Sequence, residues 1–288
     1  MTQLRDEMQF RECPACGRAS PHLHRLQING CRILQCRDCG LGSAECQAGF
    51  DPAGYYTGEY FSGGQADGYS DYVATAPVLR REFARSVHFI RRFCPGGRLL
   101  ELGCAYGFFL VEAARFFDVT GIELAREAAE HARSLGLNVV HGAADESSLG
   151  QIGELDVIVL FDVIEHLQEP REALALCLKK LRANGIVVIT TGDFGSLLAR
   201  LAGARWRLMT PPQHLWFFTR ESICRMAAGL NLAVEHLDHP WKVVPLSLIF
   251  FQMRRMLGLP ARPLRSASSL GVPINLFDAM RVVLRKPP

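Results

Sequence analysis

Residues 99–110, Leu-Leu-Glu-Leu-Gly-Cys-Ala-Tyr-Gly-Phe-Phe-Leu, constrain the fold more than any other stretch of this chain. An apolar run (Leu99, Leu100, Leu102) stops at Gly103, a tight turn closes at Gly107, and a helical pattern follows. Glycine at both positions lets the backbone take positive φ and pass close to a ligand, because neither carries a Cβ. The helix behind the turn points unpaired N–H groups back at it. Glu123 ends the next strand-like run, Asp118–Glu123, twenty residues after Gly103. In βαβ nucleotide folds that position reaches ribose hydroxyls. The spacing is G-x-x-x-G, not the G-x-G-x-x-G of dinucleotide enzymes, which argues against a nicotinamide oxidoreductase.

From Leu99 the pattern alternates. Strands are predicted over 99–102, 119–123, 137–141, 156–161 and 185–191, with helices over 107–117, 125–135 and 170–182. Short β-branched runs between ten-residue helices mean a parallel sheet wound by right-handed crossovers. Ligands in such sheets sit outside the carboxyl ends of the strands. Gly103–Gly107, Glu123, the 142–145 loop and Phe161–Asp162 all fall on that edge. A helix over 77–93, with Arg80, Arg81, Arg85, Arg91 and Arg92 on a solvated face, precedes the sheet. A helix over 219–229 and a strand over 231–237 follow it.

Ten cysteines are too many for a reducing cytosol unless several hold metal. Six of them lie within the first 46 residues. Cys13-Pro-Ala-Cys16-Gly and Cys36-Arg-Asp-Cys39-Gly are two knuckles whose four thiolates make a closed tetrahedral set, the structural zinc arrangement. Iron would fit the same knuckles, but nothing else in the chain suggests electron transfer. With no open coordination position the metal cannot activate water, so it reads as a folding staple. Cys31 and Cys46 read as spare, and Cys94, Cys104, Cys177 and Cys224 as small core hydrophobes.

No window approaches eighteen uncharged apolar residues, so no spanning helix is expected. The opening Met-Thr-Gln-Leu-Arg-Asp-Glu lacks an apolar signal core, so the expected location is cytoplasmic. The net charge of +3 is uneven: residues 240–288 carry eight Lys/Arg against Asp278 alone, leaving −4 for the rest. Within them Val243–Met253 is very apolar and runs into Arg254 and Arg255. This stretch reads either as a cap packed on the core or as a segment lying peripherally at the inner face of a membrane, against a lipid-like acceptor. Residues 192–218 form a long insert leaving the ligand edge, placed to build an acceptor pocket. Its His214 is the candidate general base, because imidazole titrates near neutral pH; the alternative is a brace for the loop.

Glu101-Leu-Gly-Cys-Ala-Tyr-Gly107 resembles motif I of the class I S-adenosylmethionine-dependent methyltransferases, with Glu123 as the ribose acid. Asp156–Leu167 and Leu181–Ile189 look like that family's fourth-strand and fifth-strand blocks. The cysteine knuckles, Tyr55-Tyr-Thr-Gly-Glu-Tyr-Phe61 and Gln213–Thr219 resemble members that act on sugars and other small metabolites. Some of these are C-methyltransferases with a further C-terminal domain that these residues do not match. The resemblance, over roughly 13–240, implies an α/β fold: a Rossmann-like seven-stranded sheet, mostly parallel with its last strand antiparallel, and a small N-terminal zinc-ribbon-like module. It implies a knuckle module over 1–48, an aromatic and helical connector and lid over 49–94, and the catalytic domain over 95–288, with acceptor-site inserts at 192–218 and 240–273.

By the same resemblance Glu101, Gly103, Ala105 and Gly107 surround the methionine part of S-adenosylmethionine. Glu123 holds the ribose, and Leu124 with the 143–145 loop, Ala144 included, holds the adenine. Phe161 and Asp162 lie near the methyl, with Tyr60 in the lid. Ala105 stands where a second glycine is common. His166 is a second catalytic candidate, and Asp162, Glu165 and His166 resemble the metal set of some quinone-precursor O-methyltransferases. Glu-His-Leu is also widespread in metal-free relatives. The expected reaction is methyl transfer to a small-molecule acceptor, with zinc structural. The alternatives are an RNA methyltransferase, disfavoured because residues 13–46 lack the aromatic-basic interleaving that stacks bases, and a cofactor-binding module without activity.

Overall fold

The computed structural model describes residues 9–46, 55, 72–256 and 269–288. The chain opens with four antiparallel strands, β1 (Gln9–Cys13), β2 (Arg18–Ile28), β3 (Cys31–Cys36) and β4 (Gly42–Cys46). Helix α1 (Ala76–Ile90) leads into the alternating region. There β5 (Gly97–Leu102), α2 (Phe108–Ala113), β6 (Phe117–Glu123), α3 (Arg126–Ser134) and β7 (Asn138–His141) follow in turn. Next come α4 (Glu146–Gly150), β8 (Leu155–Phe161), α5 (Pro170–Lys180) and β9 (Leu181–Gly192). The remainder holds α6 (Leu197–Ala202), β10 (Trp216–Phe217), α7 (Arg220–Gly229), β11 (Ala233–Asp238), β12 (Lys242–Pro245), α8 (Leu246–Met256), β13 (Gly271–Ile274) and β14 (Ala279–Arg285).

The seven-stranded sheet runs β11-β14-β9-β8-β5-β6-β7, as expected of the Rossmann-like arrangement. Its β5–β9 pairings are parallel, and β14 is antiparallel to both β9 and β11. Val157–Leu160 of β8 and Ile186–Ile189 of β9 are fully buried. Helices cover both faces, so these strands are continuous apolar runs rather than alternating ones. Each such side chain contributes roughly 1.5–3 kcal/mol of burial. Helix α2 is shorter than predicted, because Phe116 and Phe117 continue its apolar pattern past Ala113 and hide where helix gives way to β6.

The N-terminal part differs more from expectation. It forms a five-stranded sheet, β1-β2-β3-β4-β10, whose last strand comes from the 192–218 insert. Trp216 pairs with Ser43 and Phe217 with Gly42. Cys13, Cys36, Cys39 and Leu41 pack in one cluster with Leu160, Phe218, Ile223 and Met226 of the large domain. Cys31 and Cys46, read as spare, face each other across β3 and β4 and are disulfide-bonded. At the two ends of the 240–273 insert β12 and β13 pair antiparallel, and Val243 N–H donates to Glu82 Oε2 of α1 (3.0 Å).

Candidate active site

The carboxyl ends of β5, β6 and β8 open onto a cavity of about 490 Å³. Glu101, Gly103, Ala105, Glu123, Leu124, Ala144, Phe161, Asp162 and His166 all line it. Gly107 sits just behind, as the left-handed N-cap of α2 (φ 78°). Tyr60 lies outside the described residues, but Tyr72 of the same aromatic connector is on the wall, stacked on Phe108 with ring centroids 5.4 Å apart.

The loop after β5 is shaped for a close ligand. Gly103 has φ +68°, and a Cβ there would meet Val163 Cγ2 at 2.6 Å. Glu123 fixes the loop: its Oε2 accepts from Ala105 N–H and its Oε1 from Ala125 N–H, both at 2.7 Å. Glu101 is buried, and its Oε2 has no partner among the described residues. Burial, then repulsion from Glu123, pushes the Glu101 carboxyl well up. An unpartnered carboxylate oxygen beside a loop with no room for a Cβ is what a cationic, hydroxyl-bearing nucleoside needs. The residues present fit S-adenosylmethionine.

The opposite wall is built from distant segments. Asp162 takes a left-handed conformation (φ 54°), accepts from Thr190 Oγ1 (2.9 Å) and is paired with Lys242 Nζ of β12 (2.8 Å). Burial alone would raise this carboxyl, but the Lys242 ammonium, the Thr190 hydroxyl and Arg207 together hold it below the usual range. Beneath it Glu165 is buried, and burial followed by the Asp162 charge pushes it up to about 8. His166 Nδ1–H donates to the Gln213 carbonyl (2.9 Å), and burial lowers the pKa of the imidazole.

His214 is not on the cavity wall. It stands one layer back, edge-on to His166 with ring centroids 4.7 Å apart, and donates from Nδ1 to the Leu208 carbonyl (2.7 Å). Burial, then the neighbouring His166, lowers its pKa to about 3. Glu165, His166 and His214 each bring one donor atom within 4.8 Å of the others; Asp162 is outside that trio. Sequence reasoning missed Lys242, because nothing local links a lysine in an apolar insert to a loop 80 residues earlier.

The four predicted metal ligands do converge. Cys13 and Cys39 sulfurs are 3.6 Å apart, Cys16 and Cys36 3.8 Å, and all four lie within 4.8 Å of one another. A tetrahedron with metal–sulfur bonds of about 2.3 Å has edges of about 3.8 Å, so the donor set fits zinc. Hydrogen bonding from Cys39, set against burial, and then from His22 pulls the Cys13 thiol down to about 3. The same contact, with burial, pushes Cys39 up.

The cluster is tied to the cavity wall. Thr219 Oγ1 donates to the Cys39 carbonyl (3.0 Å) and Ala44 N–H to the Leu215 carbonyl (2.8 Å). On the other side of the same strap, Leu215 N–H donates to the Glu165 carbonyl (2.9 Å) and Trp216 Nε1–H to the Leu167 carbonyl (2.8 Å).

Residues 78–237, more than half of the chain, match the family model described as a methyltransferase domain. The chain belongs to the methyltransferase-domain family. The ubiquinone biosynthesis O-methyltransferase of Caulobacter vibrioides is 31% identical over 153 residues, covering 49% of this chain and 61% of the relative. The mitochondrial protein of the same name from Schizosaccharomyces pombe is 30% identical over 145 residues, 47% of this chain and 52% of the relative. The chain therefore spans between half and two-thirds of the length of these curated relatives. A solved S-adenosylmethionine-dependent methyltransferase from Archaeoglobus fulgidus shares the fold, with TM-score 0.50 and 19% identity over 71% of this chain and 92% of that one.

Proposed function

We propose that this methyltransferase domain transfers a methyl group from S-adenosylmethionine to an oxygen of a small-molecule acceptor, a sugar, phenol or related metabolite. One observation carries the reading: a single cavity joins an unpartnered Glu101 carboxylate and the Glu123-braced loop to the Asp162–His166 wall. The bound sulfonium supplies an activated methyl. The protein then has to align the acceptor, exclude water and take up one proton.

Glu101 and Gly103 hold the methionine end of the donor, Glu123 the ribose, and Leu124 and Ala144 the adenine. His166, on the cavity wall and oriented by its bond to Gln213, accepts the acceptor's hydroxyl proton. His214 serves as the brace behind it rather than as the base. The curated relatives' O-methyltransferase names favour oxygen as the accepting atom. Six acidic residues line the cavity, with no Lys or Arg among the lining residues, which disfavours a phosphate-rich acceptor such as RNA. Cys13, Cys16, Cys36 and Cys39 hold a structural Zn²⁺, and the N-terminal sheet braces the 213–219 strap behind the cavity wall.

The test combines calorimetry with S-adenosylhomocysteine and labelled-methyl transfer into catechol and hexose acceptors. His166→Ala should keep donor affinity within about threefold and lose roughly 10²–10⁴-fold in transfer. A parent protein that binds no donor overturns the reading. A His166→Ala variant with unchanged transfer removes the base but leaves the donor site standing.

A further inference from the structure

Asp162 is a cavity-wall carboxylate that brings its own counter-ion. Its backbone is left-handed (φ 54°), a conformation that an L residue other than glycine keeps only where its surroundings fix it. Thr190 supplies part of that hold. Asp162 N–H donates to the Thr190 carbonyl (2.9 Å), and the Thr190 hydroxyl donates back to Asp162 Oδ1 (2.9 Å). Lys242 supplies the rest, with Nζ 2.8 Å from Oδ2 and 3.2 Å from Oδ1.

The lysine is itself held. It opens β12 and pairs with Ile274 of β13, and the next residue, Val243, donates its N–H to Glu82 of α1 (3.0 Å). Among the described residues no helix is long and apolar enough to cross a membrane. What the 240–273 insert delivers to the large domain is a cation. A partly exposed ion pair adds little stability, because solvent screens it and ordering a long side chain costs entropy. The pair therefore has its reason in the cavity rather than in folding.

Six acidic residues line that cavity, with no Lys or Arg among the lining residues. Burial pushes the Glu101 and Glu123 carboxyls up. Asp162 goes the other way: against burial, the Lys242 ammonium holds it below the usual range. Sheet order puts this charge at a sensitive place. The strands run β9-β8-β5-β6-β7, with Glu123 closing β6 and Asp162 following β8. A nucleoside with its ribose at Glu123, crossing the β5 loop, directs its far end toward Asp162. An unpaired carboxylate there would stabilise a sulfonium more than the transition state, in which positive charge is leaving sulfur.

We propose that Lys242 is a positioning residue that cancels the Asp162 charge, so that the methyl end of the site does not hold the sulfonium donor too tightly relative to the transition state and the neutral thioether product. The inference rests on the donor reading given above. Lys242 does not line the cavity and acts through Asp162.

The test is calorimetry of the full chain with S-adenosylmethionine and, separately, with S-adenosylhomocysteine, which lacks the methyl and the positive charge at sulfur. Lys242→Met should tighten S-adenosylmethionine about five- to tenfold and leave S-adenosylhomocysteine within about twofold. Lys242→Arg should keep the parent's ratio of the two constants. Asp162→Asn leaves the ammonium uncompensated and should weaken S-adenosylmethionine by a similar factor. The double variant Lys242→Met/Asp162→Asn should return to the parent's ratio. A lysine that only braces the insert would change both ligands alike. Equal shifts for the two ligands, no shift for either, or an arginine variant that behaves like the methionine variant overturns the proposal. If circular dichroism shows Lys242→Met unfolded, Asp162→Asn decides alone, and an unchanged ratio overturns it. A parent that binds neither ligand overturns the donor reading and this inference with it. A parent that binds both, with a ratio fixed across the variants, overturns this inference alone.

Discussion

The two halves of the cavity are built in opposite ways. The half proposed for the donor draws on Glu101–Ala105, Glu123–Leu124, Ala143–Asp145 and Phe161, all at the carboxyl ends of neighbouring parallel strands. Its key contacts are short-range in sequence, such as Glu123 to Ala105 and Ala125. The side proposed for the acceptor is the loop after β8, which the 192–218 insert, β4 and β12 brace from behind without lining the cavity. Its bonds join residues as far apart as Asn29 and Pro211 or Cys39 and Thr219. Strand topology alone positions the first half; the second depends on a set of straps, each of which can fail. Donor binding should therefore survive damage that the acceptor wall does not.

The harshest test of that difference is removal of the four-sulfur site. Cys39→Ser, or chelation, should cost several kcal/mol and open the N-terminal sheet. Hydrogen exchange should then accelerate over 213–219 and 163–167 while amides at 99–107 stay protected. Equal acceleration in both halves would erase the distinction. Gly103→Ala attacks the other side. Its Cβ would meet Val163 at a left-handed position, so donor Kd should rise roughly 100-fold, about 2.7 kcal/mol. Calorimetry with S-adenosylhomocysteine reads this directly, and an unchanged Kd would mean the donor does not use this loop.

A subtler probe is Glu165, titrating at about 8 in the folded chain against about 4.3 when unfolded. Between those values the unfolded chain has released the proton that the folded chain retains, so stability falls as pH rises. Glu165→Gln should flatten that slope and raise stability at pH 8 by roughly 1–3 kcal/mol relative to the parent. Urea unfolding at pH 5.5 and pH 8 measures it, and parallel slopes for the two proteins would show that Glu165 is ionised in the fold. The smallest effect is at Ala105, whose φ is +44°. Ala105→Gly removes strain of about 1 kcal/mol but returns a similar backbone entropy, so Tm should hold or rise slightly. A clear fall in Tm would mean that the alanine methyl is needed for packing.

The same contrast explains what could be read from the sequence. Gly103, Glu123 and Phe161 were legible because strand ends and crossovers oblige them to meet, whatever the rest of the chain does. The cysteine knuckles were legible because C-x-x-C-G carries its own geometry. Lys242 was not, since an ion pair across 80 residues leaves no local trace. Trp216 and Phe217 read as part of a loop, because a two-residue strand has no periodicity to detect. His214 stood in a suggestive block, yet only the packed structure separates the imidazole on the cavity wall from the one behind it.

Strand β10 also gives the chain a schedule. β1–β4 leave the ribosome roughly 170 residues before Trp216 and Phe217 arrive to complete their sheet, an interval of about 10–30 s at ordinary elongation rates. During it the β4 edge stands open, the kind of unpaired strand on which nascent chains pair wrongly with one another. Early capture of a metal by the four thiols would hold that edge in register until its last strand arrives.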